Sequence, residues 1–285
     1  MIEFDIRNKV LYGVSVSNDE TTIGIPNDVE RIKHLKIAKN IEKLIIPSSV
    51  KSIDLDAFEY AINLLKIELI DNDNFIIEKK CLYDKNKKTI YLTERDISGR
   101  ITIPLQVSNI SAHAFAHCSG LTQVKLIQGI KHIGSFAFIE CINLEKINIP
   151  SLYDLELKEA TFEGCSRLRE ITIPKNIISF GKCLFYECWG LEKINIETSK
   201  VRIIPVQCFA YCESLIRIDF NDGLEEIQDN AFIGCESMTE ASFPSSVSKI
   251  GSTVFFDDNN LTVFSNSRQL ANYCTRNKIM FENTV

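Results

Sequence analysis

Apolar and polar residues alternate over short stretches of this 285-residue chain, and the stretches return at a nearly constant interval. Residues 145–149 have the sequence EKINI, in which polar side chains alternate with isoleucine. This alternation is typical of a β-strand that buries one face. Proline follows directly in several units, as at Pro150 and Pro174. Because proline cannot donate to a ladder, it indicates the end of the strand.

Six of the ten cysteines set the interval. Successive members are 23, 24, 23, 24 and 23 residues apart, and each follows a phenylalanine by three positions. A fixed period of this length predicts a solenoid with one supersecondary unit per repeat, in which equivalent side chains stack in columns. The cysteines are Cys118, Cys141, Cys165, Cys188, Cys212 and Cys235, the phenylalanines are Phe115, Phe138, Phe162, Phe185, Phe209 and Phe232, and Phe58 and Phe255 extend the second series.

One internal segment departs from the period. The step from Leu69 to Ile103 is 34 residues instead of about 23, which predicts an insertion over about residues 73–97. Apolar stretches at 75–78 and 89–92 lie on either side of the polar sequence DKNK. This arrangement predicts a β-hairpin within the insertion.

The C-terminal segment is expected to cover the open end of the solenoid, since a terminal unit of such a fold needs an atypical outer face. Residues 266–278 predict a short helix, and 278–281 predict a last strand. No flexible linker or low-complexity tract divides the chain, so we expect a single domain over 1–285. Its parts are an N-terminal cap with the first coils over 1–40, repeats over 41–260 and a C-terminal cap over 261–285.

The repeat unit reads Cys-x-x-Leu-x-x-Ile-x-Ile-Pro-x-x-Val-x-x-Ile-Gly-x-x-Ala-Phe, and it is clearest in 118–138 and 235–255. This unit closely resembles the BspA-like leucine-rich repeat. Residues 75–92 look like the hairpin module of those proteins, and 261–281 are similar to their closing segment. Departures from the family pattern are Ala61 in the cysteine position, an extra residue within 152–155, and Pro205 inside a unit.

The resemblance implies the fold class: a leucine-rich repeat solenoid of the α/β class, mostly β, curved as a right-handed arc with a parallel concave sheet. It also implies a binding role, often on microbial surfaces. The family pattern defines no catalytic residues, so none are assigned.

Charge and hydropathy narrow the choice of partners. Lysine and arginine number 32 against 38 aspartates and glutamates, a net charge of -6, which argues against duplex nucleic acid as a partner. No apolar stretch reaches the roughly 18 residues needed to cross a bilayer, so membrane insertion is not expected. The first residues lack the basic and apolar regions of a signal peptide. On this basis we expect a cytoplasmic monomer, with surface display as the alternative that the family resemblance implies.

The cysteine column permits three interpretations: disulfides, a metal ladder or buried thiols. Adjacent coils lie about 4.8 Å apart, near the range for a disulfide. Stacked equivalent side chains point the same way, however, which suits a buried thiol column better. His113 and His117 have the i, i+4 spacing of zinc ligands, but their position between core residues predicts that the two rings diverge into solvent. We therefore expect no metal and no cofactor.

Strand alternation also predicts which residues face outward on the concave sheet. The fifth residue after each repeat cysteine is more often basic than acidic in a chain that is acidic overall. These positions suggest a basic, amide-rich surface for a partner. The alternative is that outward strand positions carry polar residues only because they face solvent. The candidate partner-binding residues are Lys125, Lys146, Asn148, Thr172, Lys193, Asn195, Arg217 and Asp219.

A second candidate contact lies at the edge of the strands, where Trp189, Tyr186 and Tyr211 are expected near one another. Exposed aromatic residues of this kind anchor many interfaces. The sequence thus favours a non-catalytic module that binds a protein or glycan on its concave face. Two alternatives stay open: a structural or adhesin-like display element that acts by shape or self-association, and an enzyme or metal protein that uses His113, His117 or a thiol.

Overall fold

The computed structural model describes residues 2–17, 19–59, 61–197, 200–220, 222–256 and 260–284. It is a mostly β solenoid of about 11 turns with parallel sheets and little helix, so the expected leucine-rich repeat fold is confirmed. Neighbouring strands within each face belong to successive coils, because each coil contributes one short strand to each face.

The N-terminal part begins with an antiparallel hairpin that caps the first coil. The second strand of this hairpin, residues 10–16, then pairs in parallel with residues 31–32. The strands of this part are β1 (Ile2–Arg7), β2 (Val10–Val16), β3 (Thr22–Gly24), β4 (Arg31–Ile32), β5 (Leu35–Lys36), β6 (Lys43–Pro47), β7 (Ser52–Ile53), β8 (Phe58–Glu59) and β9 (Lys66–Ile70).

The insertion is a three-stranded antiparallel unit. The expected hairpin between 75–78 and 89–92 is therefore wrong in its pairing, because 81–84 forms a strand of its own between them. Residues 81–84 show no alternation of apolar and polar side chains, because three successive residues there are buried. The insertion and the next coils contain β10 (Phe75–Glu78), β11 (Cys81–Asp84), β12 (Thr89–Thr93), β13 (Ser98–Thr102), β14 (Asn109–Ile110), β15 (Gly120–Lys125), β16 (His132–Ile133) and β17 (Lys146–Ile147).

The C-terminal half continues the two faces and ends in a helix and a strand, close to where the sequence predicted them. Ser267 caps this helix by accepting a hydrogen bond from the backbone N–H of Leu270, as Ser does at many helix starts. The elements are β18 (Leu155–Leu157), β19 (Glu170–Ile173), β20 (Ile177–Phe180), β21 (Lys193–Ile196), β22 (Ile203–Ile204), β23 (Arg217–Asp219), β24 (Glu226–Ile227), β25 (Glu240–Ser242), β26 (Lys249–Ile250), β27 (Thr262–Phe264), α1 (Arg268–Asn277) and β28 (Met280–Glu282).

A column of stacked phenylalanine rings forms the centre of the core. Neighbouring rings from Phe115 to Phe255 lie 5.2–5.8 Å apart and within 15° of parallel. The repeat cysteines beside them are fully buried, and all ten cysteines are free. The columns predicted from the 23–24-residue period are therefore present.

Each of the six coils with its corner between His113 and Gly234 turns at two residues four positions apart, both with positive φ. His113 and His117 form one such pair, at 55° and 58°, and Glu140 and Gly164 belong to the next corners. Backbone N–H groups at these corners donate to carbonyls of the following coil, as Phe138 does to Thr161 at 3.0 Å. The i, i+4 spacing of the histidines is thus a property of the corner rather than of a helix.

Candidate functional site

Neighbouring concave strands in the region of the repeat cysteines pair at more positions across 23-residue steps than across 24-residue steps. Over 23-residue steps, β19 pairs with β21 at four positions and β23 with β25 at three. Over the 24-residue step that follows Cys188, β21 and β23 share only the pair Lys193–Arg217. Over the 24-residue step that follows Cys141, β17 and β19 belong to different sheets. The ladder is thus shortened at one 24-residue step and interrupted at the other.

The interruption is confined to the concave side. On the phenylalanine side Glu140 still donates its backbone N–H to Glu163, at 2.7 Å. Among the described residues, no backbone hydrogen bond joins 145–150 to 166–175. At the far end the side-chain amide of Asn176 donates to the carbonyl of Pro150 at 3.1 Å and so joins the two coils again.

The break opens a cleft of about 1100 Å³ across the concave face. Its apolar lining comes from Val124, Pro174 and three isoleucines, and the rest is polar or charged. Ile147 and Ile149 are each 8% exposed, whereas Val124 in the preceding coil is 1% exposed. The lining residues are Gln123, Val124, Glu145, Lys146, Ile147, Asn148, Ile149, Ser151, Arg167, Arg169, Glu170, Ile171, Thr172, Pro174, Lys175 and Glu197.

Four cationic side chains line the cleft: Lys146, Arg167, Arg169 and Lys175. All four are exposed, and among the described residues none of their side chains forms an ion pair or a hydrogen bond. Three carboxylates line it as well, and that of Glu170 is already bound outside the cleft, by Lys193 at 3.3 Å. The site therefore offers unpaired positive charge to a ligand.

Several residues proposed from the sequence are occupied by internal contacts. Arg217 binds Asp219 at 2.8 Å and Glu240 at 2.6 Å, and these contacts raise the pKa of Arg217. Asn195 donates to Glu170 at 2.7 Å. These ion pairs balance part of the charge of the basic, amide-rich surface expected from the sequence, and the use of that surface by a partner stays a prediction.

Asn148 has a structural role as well. Its side-chain amide donates to the carbonyl of Leu126 at 2.8 Å and accepts from the same residue's N–H at 2.9 Å. The side chain thereby takes the place of the next backbone pair between β15 and β17. Of the other proposed residues, Thr172 and Lys146 line the cleft, whereas Lys125 is exposed on β15.

Carboxylate ionisation in this region follows the same contacts. Hydrogen bonds from Asn195 and Lys193, followed by the charge of Lys193, lower the pKa of Glu170. The carboxylate is therefore ionised at neutral pH and holds Lys193 toward itself. Lys146 has no such partner among the described residues, in contrast to Lys193 and Arg217.

The aromatic edge is present in part. The rings of Tyr186 and Tyr211 meet edge to face at 5.6 Å, and Trp189 is 49% exposed. The ring of Tyr211 also lies over Gly234, where an added Cβ would come within 2.6 Å of it. Tyr211 is thus held by packing, whereas Trp189 remains an exposed ring near the start of β21.

The two histidines do not diverge into solvent as expected. The ring of His113 stacks on Phe136 at 4.8 Å and 9°, and burial lowers its pKa to about 4. Burial and the charge of Arg95 lower the pKa of His117 as well. Among the described residues, no group of three or more His, Cys, Asp or Glu side chains is arranged to hold a metal ion.

The alternating pattern of the sequence does not predict Arg167, Arg169 and Lys175 as residues of the site. They lie just before or after β19, outside the alternating positions of the strand, so the alternation did not select them. The signal that could have found them is the 24-residue step between Cys141 and Cys165. A longer step in a regular array marks a coil whose strand cannot keep the common register.

Comparison with known families agrees with the architecture. The repeat profile described as BspA type Leucine rich repeat region matches in six copies, over residues 6–100, 97–200 and 154–262. The chain therefore belongs to the BspA-type leucine-rich repeat family. No protein among curated sequences matches the chain. Within the described residues, no helix is long and apolar enough to span a bilayer.

Solved structures with a similar fold include a leucine-rich repeat protein from Eubacterium ventriosum, with 28% identity and a TM-score of 0.58 over 82% of this chain and 64% of that one. The pneumococcal vaccine antigen PcpA is 20% identical, with a TM-score of 0.62 over 90% of this chain and 60% of that one. This chain thus spans less than two thirds of either protein. The likeness to PcpA supports the fold alone.

Proposed function

We propose that this protein is a non-catalytic binding module that recognises a protein or glycan partner on its concave face, with the cleft between β17 and β19 as the centre of contact. The observation that carries the proposal is the set of four unpaired cations around this cleft. The rest of the concave face supports it as a rigid platform. Strands held in ladders lose little conformational freedom when a ligand binds.

The surface charges favour an acidic partner. Exposed ion pairs such as Lys193–Glu170 contribute little binding energy to a ligand, because the two charges already compensate each other. Lys146 and Arg169 have no partner among the described residues, so a carboxylate or other anion of the ligand can bind them directly. Association is therefore expected to weaken as salt rises, since exposed charges are screened over about 10 Å at 0.1 M ionic strength.

Charge reversal in the cleft tests the proposal. Immobilised wild-type protein is compared with the double variant Lys146→Glu/Arg169→Glu for retention of partners from an extract of the source cells and from a glycan array. The matched control is Lys85→Glu/Lys88→Glu, which makes the same charge change on the exposed turn of the insertion. We expect the cleft variant to lose the partner and the control to keep it.

The opposite result would overturn the proposal. A partner that both variants retain equally places the binding surface elsewhere. Sedimentation velocity addresses one of the alternatives, a display or self-associating element. Association of the wild-type protein with itself that survives the cleft substitutions would favour that alternative, whereas a monomer that binds its partner through the cleft agrees with the proposal.

A further inference from the structure

We infer that the cleft between β17 and β19 binds an anionic oligosaccharide that carries carboxylates and free hydroxyls on the same chain, such as a polymer of uronic acid units. This inference rests on the proposed binding function and narrows its ligand class. Three properties of the cleft carry it: the two unpaired strand edges, the mixture of cations and carboxylates, and the size.

The strand edges require a ligand that both donates and accepts hydrogen bonds. Along each edge of a strand, N–H groups and carbonyls alternate, and no backbone hydrogen bond joins β17 to β19 among the described residues. A hydroxyl group has one donor and two acceptor positions, so a polyol can contact N–H groups and carbonyls on the two facing edges at once. The exposed parts of Ile147 and Ile149, each 8% exposed, add a small apolar surface to the cleft lining that can contact the C–H face of a sugar ring.

The charges select a carboxylated polyol over a uniformly anionic polymer. Arg167 and Arg169 present planar guanidinium groups, which bind carboxylates with two parallel hydrogen bonds. Glu145 and Glu197 line the same cleft and accept hydrogen bonds from hydroxyls, but they repel a ligand that carries several anionic groups on each sugar unit. Alternating carboxylates and hydroxyls match this mixed lining.

The size of the cleft favours several sugar units over one. Sites for small molecules enclose about 300–1,000 Å³, and this cleft of about 1100 Å³ lies just above that range. Beyond one end of the break, Asn176 joins Pro150 of the preceding coil. Beyond the other end, the backbone hydrogen bond from Glu140 to Glu163 joins the same two coils, so the break has a finite length. The ligand is therefore a short segment of a chain, lying along the strands.

Isothermal titration with defined hexasaccharides tests the ligand class. The probes are a hyaluronan hexasaccharide, hexagalacturonate, a heparin hexasaccharide and neutral maltohexaose. We expect one or both uronate probes to bind, maltohexaose to fail, and the heparin fragment to bind more weakly than the uronates. The two uronate probes distinguish an animal from a plant or microbial source of the same chemistry. Stronger binding of heparin than of either uronate would overturn the inference.

Substitutions locate the site. Because a hydrogen bond to a charged group is strong, Arg169→Ala is expected to weaken uronate binding about tenfold or more. Arg169→Lys should recover only part of the affinity, since lysine lacks the planar fork. Lys85→Ala, on the insertion, is the control and should bind as wild type. Equal affinity of all three variants would refute the assignment of the cleft.

Deletion of Leu152 tests the break itself. Leu152 is exposed and lies in the 24-residue repeat, so its removal restores a 23-residue step while every charge remains. We expect β17 and β19 to pair and uronate binding to be lost. Unchanged uronate affinity in a folded deletion variant would contradict the role of the strand edges. If the deletion variant does not fold, the Arg169 substitutions decide the question.

The two proposals fail in different ways. If no hexasaccharide binds but a protein partner is lost on Lys146→Glu/Arg169→Glu, the oligosaccharide inference is wrong and the concave binding function stands. If neither an oligosaccharide nor a protein depends on these residues, both proposals are wrong.

Discussion

The thiol of Cys188 donates a hydrogen bond to the backbone carbonyl of Phe162 in the preceding coil, at 3.1 Å. The same carbonyl accepts the N–H of Cys165 within its own corner, at 3.2 Å. Each thiol is thus a weak donor to a carbonyl oxygen that still has a free lone pair. Alanine has no donor in its side chain and could not form this bond. The equivalent thiol bonds are Cys141 to Phe115, Cys165 to Phe138, Cys212 to Phe185 and Cys235 to Phe209.

The first prediction concerns this thiol bond. Cys188→Ala removes the donor and leaves a small void among fully buried neighbours, so we expect unfolding free energy to fall by about 1–2 kcal/mol. Cys188→Ser retains a donor for the Phe162 carbonyl and should therefore not carry the full penalty of an unsatisfied buried hydroxyl, about 1–3 kcal/mol. Urea denaturation measures both changes. An alanine variant as stable as wild type would show that the thiol bond contributes nothing.

The phenylalanine column should be more sensitive than the cysteines. Phe162 stacks between Phe138 at 5.8 Å and Phe185 at 5.5 Å, and its side chain is fully buried. Phe162→Ala is expected to lower the free energy of unfolding by about 3–5 kcal/mol, because it leaves a cavity between two rings. Phe256→Ala is the control, since that ring is 57% exposed, and thermal unfolding should separate the two. Similar melting of both variants would contradict the column.

Glu163 provides a prediction on pH. Burial, followed by the nearby charges of Glu140 and Glu187, raises its pKa to about 7. Because the pKa is higher in the folded protein, the unfolded chain releases this proton at lower pH than the folded protein does. The folded state therefore loses stability relative to the unfolded state as pH rises from about 4.5 to about 7. Glutamine does not ionise, so the stability of Glu163→Gln should not fall in this way. We expect the variant to exceed wild type in stability above pH 7 and to match it near pH 4.

Denaturant curves over this pH range measure the difference. The control is Glu170→Gln, at a carboxylate whose pKa is lowered by Asn195 and Lys193. Glu170→Gln should lower the free energy of unfolding at neutral pH, whereas Glu163→Gln should raise it. A difference between Glu163→Gln and wild type that does not vary with pH would contradict the proposed repulsion.

The columns were predictable from the sequence, but the cleft was not. Cys165 and Phe162 repeat at a fixed period, and a stacked array converts that period directly into contacts. The ion pairs of Arg217 depend on which neighbouring carboxylate lies within reach across coils, and strand alternation alone does not give that. The 24-residue step was visible, yet its effect depends on where the coil accommodates the extra residue. Here it is accommodated after β17, which separates that strand from β19.

Arg95 gives the last prediction, at the junction between the insertion and the repeats. Its guanidinium group is buried, with the residue only 5% exposed. Nε donates to the carbonyl of Ala61 at 2.6 Å, and the terminal nitrogens donate to the carbonyls of Ala114 and His113 at 3.2 and 3.3 Å. One side chain therefore joins the coil before the insertion to the coil after it. Ala61, the departure from the cysteine column, contributes the carbonyl on the N-terminal side.

We expect Arg95→Lys to be poorly tolerated, because an ammonium group cannot reach three carbonyls with the geometry of the planar fork. Each carbonyl left unsatisfied costs about 1–3 kcal/mol. Arg95→Met, which removes the charge and keeps a long apolar chain, should lose the same hydrogen bonds without burying an ammonium group and should therefore be the milder change. Amide hydrogen exchange should show faster opening near Ala61 and His113 than near Phe232 in both variants. Uniform acceleration along the chain, or exchange as slow as in wild type at the junction, would show that Arg95 does not couple the two parts.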